Sequence, residues 1–211
     1  MNERLIKVQG QGSASATPDH VALSFQIRAE HEEYAETIRL LDQKLQAVRE
    51  QLAAAKVPKK DLKTFRFDVS IRYVTRNKEQ VFAGYQAQHS LRLELPWNKN
   101  HLNLVLERLS EISEGVEFSI GFFIEDKASL QKMALERAVG RARDNAQVIA
   151  EAADVTLGDI VHIEYGWTEV HFESDLRYEV ASCQASAEMN PVDVDHSENV
   201  TVSWSIVPTE K

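Results

Sequence analysis

A single cysteine, Cys183, in a chain of 211 residues excludes an internal disulfide and leaves folding to the apolar core. Proline and glycine are scarce, at 5 and 8 residues, which excludes a collagenous or low-complexity chain. No stretch approaches ~18 continuous apolar residues, so no membrane-spanning helix is expected. Basic residues are in deficit: 24 Lys and Arg against 33 Asp and Glu give a formal charge of -9. Phosphate binding draws on clustered Lys and Arg, so nucleic acid is not an expected partner. What is present is an ordinary globular composition, 43% hydrophobic and 27% charged. A chain of this length fits one domain, burying roughly 70% of the surface its unfolded form exposes, and needs no metal or disulfide to fold. Residues 1–9 have no apolar core of leader length and run directly into a strand pattern, so a cytoplasmic location is expected.

The rest of the chain organises around residues 126–158. Alanine recurs every fourth residue there, at Ala134, Ala138, Ala142, Ala146 and Ala150, with Leu130, Leu135, Val139 and Ile149 beside that line. Residues four apart stand almost above one another on a helix, so the alanines form a smooth ridge that admits a close backbone. Asp126 or Ser129 can cap its start, and Gly158 marks a stop. A small-faced helix of this kind needs a broad surface to lie on.

The flanking segments supply a sheet. Leu5–Ala16 alternates, with Ile6, Val8, Gly10, Gly12, Ala14 and Ala16 on one face, and Thr17-Pro18-Asp19 reads as a turn into a second strand through Val21 to Ala29. The chain is therefore expected to open with a hairpin. Residues 33–56 switch to helical spacing, through Ile38, Leu41, Leu45, Val48 and Leu52; an amphipathic helix on the sheet is the reading, with a coiled-coil seam as the alternative. After Val57-Pro58, a second hairpin follows, with Phe65, Phe67, Val69, Ile71 and Tyr73 on one strand and Tyr85 to Leu95 on the other. Asn98 or Asn100 caps a short helix stopping near Gly115, and Val116 to Ile124 is a fifth strand. A sixth strand runs roughly from Ile160 to Trp167, and a last one passes through Val200, Val202, Trp204 and Ile206. Residues 173–198 are polar, acidic and weakly periodic, and a mobile loop is expected there. The fold class is α+β: antiparallel β hairpins with three helices packed on one side, in the order β-β-α-β-β-α-β-α-β-β.

Four groups of residues occur in an order and spacing that resembles one family. They are Val8-Gln9-Gly10-Gln11-Gly12 with Pro18-Asp19, Thr64-Phe65-Arg66-Phe67 with Tyr73, Gly84-Tyr85-Gln86-Ala87, and the alanine helix running into Leu157-Gly158. Together they resemble the SIMPL-domain family over nearly the whole chain, 1–211, as one domain. That family includes bacterial periplasmic immunogens and stress-associated proteins, and an animal signalling protein named for association with a pelle-like kinase. The resemblance implies an oligomer-forming protein without an established catalytic site. Three features depart from the pattern: Asp154 stands where the family tends to have glycine after the helix, His89 where it often has asparagine, and the last loop is acidic rather than built around a Pro-Gly turn.

Few residues point to chemistry. Gly10-Gln11-Gly12 lacks the third glycine and following helix of a pyrophosphate site, so close backbone packing is its reading. Cys183 lies in acidic surroundings that disfavour a thiolate, even with His171 and His196 as bases. His162 with Glu164, His171 with Glu173, and Asp193, Asp195, His196 and Glu198 together could ligate a divalent metal, although their spacing matches no ligand motif and a solvated acidic loop is the commoner outcome. His89 lies on an apolar strand face and reads as a core or interface residue. No residue is assigned a catalytic, cofactor or metal role. The expected function is a non-catalytic, homo-oligomeric binding or scaffold protein, with a link to stress tolerance or signalling that only the resemblance implies. The alternative is a metal-dependent hydrolase built on His162, His171, Asp193 and His196. Self-association is expected through the edges of the opening hairpin and the terminal strand, where only Lys7 between Ile6 and Ala16 is charged and no residue from Val200 to Val207 is.

Overall fold

The computed structural model describes residues 4–76, 78–112, 116–166, 173–176 and 189–208, the segment 173–176 by its backbone alone. The elements in order are β1 (Leu5–Ala16), β2 (His20–His31), α1 (Tyr34–Ala54), β3 (Leu62–Arg76), β4 (Glu79–Pro96), α2 (Lys99–Leu109), β5 (Val116–Phe123), α3 (Lys127–Ala152), β6 (Val155–Glu164), β7 (Glu173–Leu176) and β8 (Val194–Pro208). The α+β class and the expected order hold, with β7 added. The chain forms two compact units, each built on its own sheet.

The first unit contains the three-stranded sheet β1-β8-β6, with α3 on one face. β1 and β8 pair antiparallel from Leu5↔Ser205 to Ala16↔Val194, so the first and last strands are neighbours. Alternation turns Val8, Gly10, Gly12 and Ala14 of β1 inward, beside Val194, Val200, Val202 and Trp204 of β8. Against them lies the alanine ridge, Ala134, Ala138, Ala142, Ala146 and Ala150, all buried. A Cβ at Gly10 would fall on the Ala138 carbonyl, and one at Gly12 on the Ala134 carbonyl, so only glycine lets strand and helix backbones approach this far. Asp126 caps α3 by accepting from the Ser129 amide at 3.0 Å. The helix ends at Ala152 rather than near Gly158, which lies inside β6; the turn is made at Asp154, whose φ of 54° is the left-handed region that glycine normally occupies.

The second unit contains the five-stranded sheet β3-β4-β2-β5-β7. Leu23, Phe25 and Ile27 of β2, Leu91 and Leu93 of β4 and Phe122 of β5 share one face, where α1 buries Leu41, Leu45, Val48 and Leu52 and α2 buries Leu102, Val105 and Leu106. The α1 seam is thus an amphipathic stripe on a sheet. Asn98 caps α2, accepting from the His101 amide at 3.0 Å.

Further expectations need correction. The opening hairpin does not form: β1 pairs with β8, and β2 pairs with β4 and β5, because Pro18 stands where the chain leaves one unit for the other. The terminal strand is not an edge, since β8 lies between β1 and β6 and Val202 is buried; it also begins at Val194, well before Val200. Residues 173–198 are not one loop, because 173–176 form β7 and 194–198 open β8. The sixth strand runs Val155–Glu164, and Trp167 lies outside the described residues.

Candidate functional site

The residues proposed for chemistry fall into separate places. On β8 the inward alternation that buries Val194 and Val200 also buries His196 and Glu198 between them. Their side chains are 0% and 4% exposed, and His196 Nε2 lies 2.9 Å from Glu198 Oε1. Opposite them on β1 stand Ala14 and Gly12, whose small size leaves the space. Gln131, near the start of α3, donates to Glu198 Oε1 at 3.0 Å and to the Tyr165 hydroxyl at 3.2 Å. A buried carboxylate needs such partners, and the pair fastens α3 to β8. No substrate reaches a histidine with no exposed surface. The sequence marks neither Gln131 nor Tyr165, because only the register of α3 on β8 brings them there.

The other candidates are exposed and dispersed. His162 and Glu164 lie 3.5 Å apart on β6, and Lys7 of β1 bonds Glu164 at 3.0 Å, which holds its carboxyl below the usual range. Asp193 accepts from the Thr17 hydroxyl at 2.9 Å, and Asp195 points outward from β8. His171 and Cys183, and the side chain of Glu173, lie outside the described residues. Of the four hydrolase residues, His162, Asp193 and His196 therefore occupy three different settings. Among the described residues no three His, Cys, Asp or Glu side chains are grouped so as to hold a metal. An open cleft of about 390 Å³ lined by His20, Asp61, Lys63, Phe65, Arg92 and Glu94 carries both signs of charge. Arg92 pairs with Glu94 at 2.8 Å within it, and His20 Nδ1 lies 3.0 Å from the carboxyl of the adjacent Asp19.

One largely exposed apolar surface is the β3 side of the second unit. β3 ends its sheet and, among the described residues, bonds only β4, so there a row of backbone N–H and C=O groups is left open. Its inward-alternating residues continue the core face, since Phe67 stands opposite His89 and Val69 opposite Ala87, yet no residue of β3 is fully buried. Phe67, Ile71 and Tyr73 are half exposed, at 50%, 50% and 55%. Phe65 is an extra residue between Thr64 and Arg66, which pair with the consecutive residues Leu91 and Ser90; this bulge leaves it 82% exposed. Past the last β2 partner, Tyr85↔His31, the two strands continue as an arm that, among the described residues, pairs only with itself, and Gly84 at φ 107° lets β4 take its own bulge there. Phe82 meets Tyr85 edge-on at 5.6 Å, and Phe67 meets the His89 ring at 5.4 Å. His89 also bonds Thr64 Oγ1 at 3.0 Å. Burial, and then Arg49, push its pKa below the ordinary value, partly offset by Asp42. The apolar face of this strand is legible in the sequence; that it lies uncovered depends on which strands α1 and α2 cover.

Comparison with known proteins agrees with the residue pattern. The sequence signature of the SIMPL family, described as proteins of unknown function (DUF541), matches residues 6–207. The 26 kDa periplasmic immunogenic protein of Brucella abortus strain S19 is 24% identical over 163 residues, covering 75% of this chain and 65% of that protein. The protein of the same name from Brucella melitensis biotype 1 is 23% identical over the same extent. The chain thus matches somewhat under two thirds of the length of each relative. With the family signature running from the inner face of β1 to the end of β8, the chain belongs to the SIMPL family.

Proposed function

We propose that the protein is a non-catalytic binding scaffold that acts as an assembly of its own copies. The observation that carries this reading is the open β3 edge, flanked by half-exposed Phe67, Ile71 and Tyr73. An apolar face beside unpaired backbone groups is a surface made for another strand. The non-catalytic part of the reading draws on the sealed His196–Glu198 pair and the Arg92–Glu94 pair in the cleft. The acidic balance of -9 speaks against a nucleic-acid partner. A role in stress tolerance or signalling follows from family resemblance alone. No helix among the described residues is long and apolar enough to cross a membrane. The expected cytoplasmic location has no support from the relatives, both of which are named as periplasmic. Light scattering on a size-exclusion column tests the reading: a mass above that of one chain at micromolar concentration is expected, and the mass of one chain overturns it.

A further inference from the structure

We propose that two copies join through β3, antiparallel, about a two-fold axis that passes through Ser70, so that two five-stranded sheets continue into one. This rests on the self-association just argued and names its surface, symmetry and register.

The arm beyond Tyr85 is a two-stranded ribbon, which is marginal in water without a third strand. β3 ends its sheet along its whole length among the described residues, and from Arg66 to Arg76 it carries no extra residue of its own, since the second register shift falls where β4 spends three residues against two. Along such an edge the outward-pointing backbone groups belong to alternate residues, and facing residues either both bond or both do not. Two identical edges therefore meet only with residues of the same parity opposite one another. The two-fold axis must then pass through a residue, not between two.

Among centres from Asp68 to Arg72, the middle of the strand, charge selects one. A centre at Asp68 sets that carboxylate against its own copy, and a centre at Val69 sets Arg66 against Arg72. A centre at Ile71 sets Arg66 against Arg76, and one at Arg72 sets that guanidinium against itself. A centre at Ser70 instead sets Asp68 opposite Arg72 of the partner subunit, twice, with no like charges opposed. Both side chains are available on the outer face, Asp68 at 47% and Arg72 at 44% exposure, although Arg66 touches the first and Glu30 reaches the second at 3.0 Å within the chain. The same register sets Phe67 opposite the partner's Tyr73 and Val69 opposite the partner's Ile71 on the helix side, forming one apolar strip in which Phe67, Ile71 and Tyr73 are each half in water in one copy alone. Closed two-fold symmetry uses each β3 edge once and leaves none to propagate.

Cysteine trapping and a charge swap test this. In a Cys183→Ser background, Ser70→Cys is expected to give a covalent dimer on oxidation, because opposed residues lie within disulfide reach. Asp68→Arg alone and Arg72→Asp alone are each expected to halve the mass in solution, and the double variant to restore it, with circular dichroism checking that all three are folded. A parent protein with the mass of one chain overturns both this proposal and the scaffold reading. A parent that associates, while Ser70→Cys remains uncrosslinked and the double swap does not regain mass, overturns this interface alone.

Discussion

The two units solve the same problem, a helix on a sheet, with opposite materials. In the second unit, α1 and α2 stand off β2, β4 and β5 on a layer of Leu, Ile, Val and Phe. In the first, α3 meets β1 through alanine on one side and glycine on the other, and the cluster around it contains Trp204 as its one large ring. Side-chain volume sets the distance between layers. The first unit is therefore intolerant of added atoms and the second of lost ones.

The sharpest break in that comparison is Gly12→Val. Its Cβ would overlap the carbonyl of Ala134, which belongs to helix backbone and cannot rotate away. A loss above about 3 kcal/mol is expected, at the upper end for overpacking; a denaturant midpoint like the parent's would mean that α3 does not lie on β1. Leu93→Ala is the converse test in the second unit, where Leu93 is fully buried. A cost of about 2 to 5 kcal/mol is expected there, whereas Leu93→Met, which keeps the volume, should cost under about 1.5 kcal/mol. Equal costs for the two would show a core that does not depend on size.

The smallest effect concerns pH. His89 titrates below its ordinary value near 6.5, so the unfolded chain holds more protons than the folded one once pH falls under that value. Stability should decline on acidification from about pH 6.5 downward, with the lower limit set by the folded-state pKa. Glu164 adds to the decline at lower pH, because its depressed carboxyl contributes above its ordinary value and the contribution is lost as pH falls. His89→Asn, which keeps a polar partner for Thr64, should flatten the upper part of the curve only. Thermal melts at stepped pH read this out, and an unchanged slope near pH 6 would assign the acid sensitivity elsewhere.

Local pattern carried most of the elements. The four-residue alanine period, the caps at Asn98 and Asp126 and the alternation in β3 and β4 each follow from residues within a few positions of one another. The β1–β8 pairing does not, because it joins Leu5 to Ser205 across almost the full chain, and nothing in either strand names its partner. Expecting β1 to fold back on β2 applied the rule for adjacent strands where Pro18 marks a change of unit. The same error placed the expected free edges on the opening hairpin and β8: β1 does end its sheet, but β8 lies inside it and β3 was passed over. At the candidate surface, Phe67, Ile71 and Tyr73 were readable as one face, but exposure depends on the reach of helices elsewhere in the chain. Asp154 was readable only as a departure from glycine; its left-handed φ gives the departure a physical meaning.

A ridge that repeats every four residues has a further property. Sliding α3 by one repeat, about 6 Å along its axis, would set alanine over glycine again. Small residues fix the distance between helix and strand but leave several positions along the strand nearly equivalent. The polar contacts remove that degeneracy. Gln131 meets Glu198 at 3.0 Å and Arg137 meets the Ser13 carbonyl at 2.6 Å in one position alone, and a slide would leave the buried carboxylate without its amide. The sealed histidine and glutamate thus act as an index mark that selects one notch among many on an otherwise repeating scale.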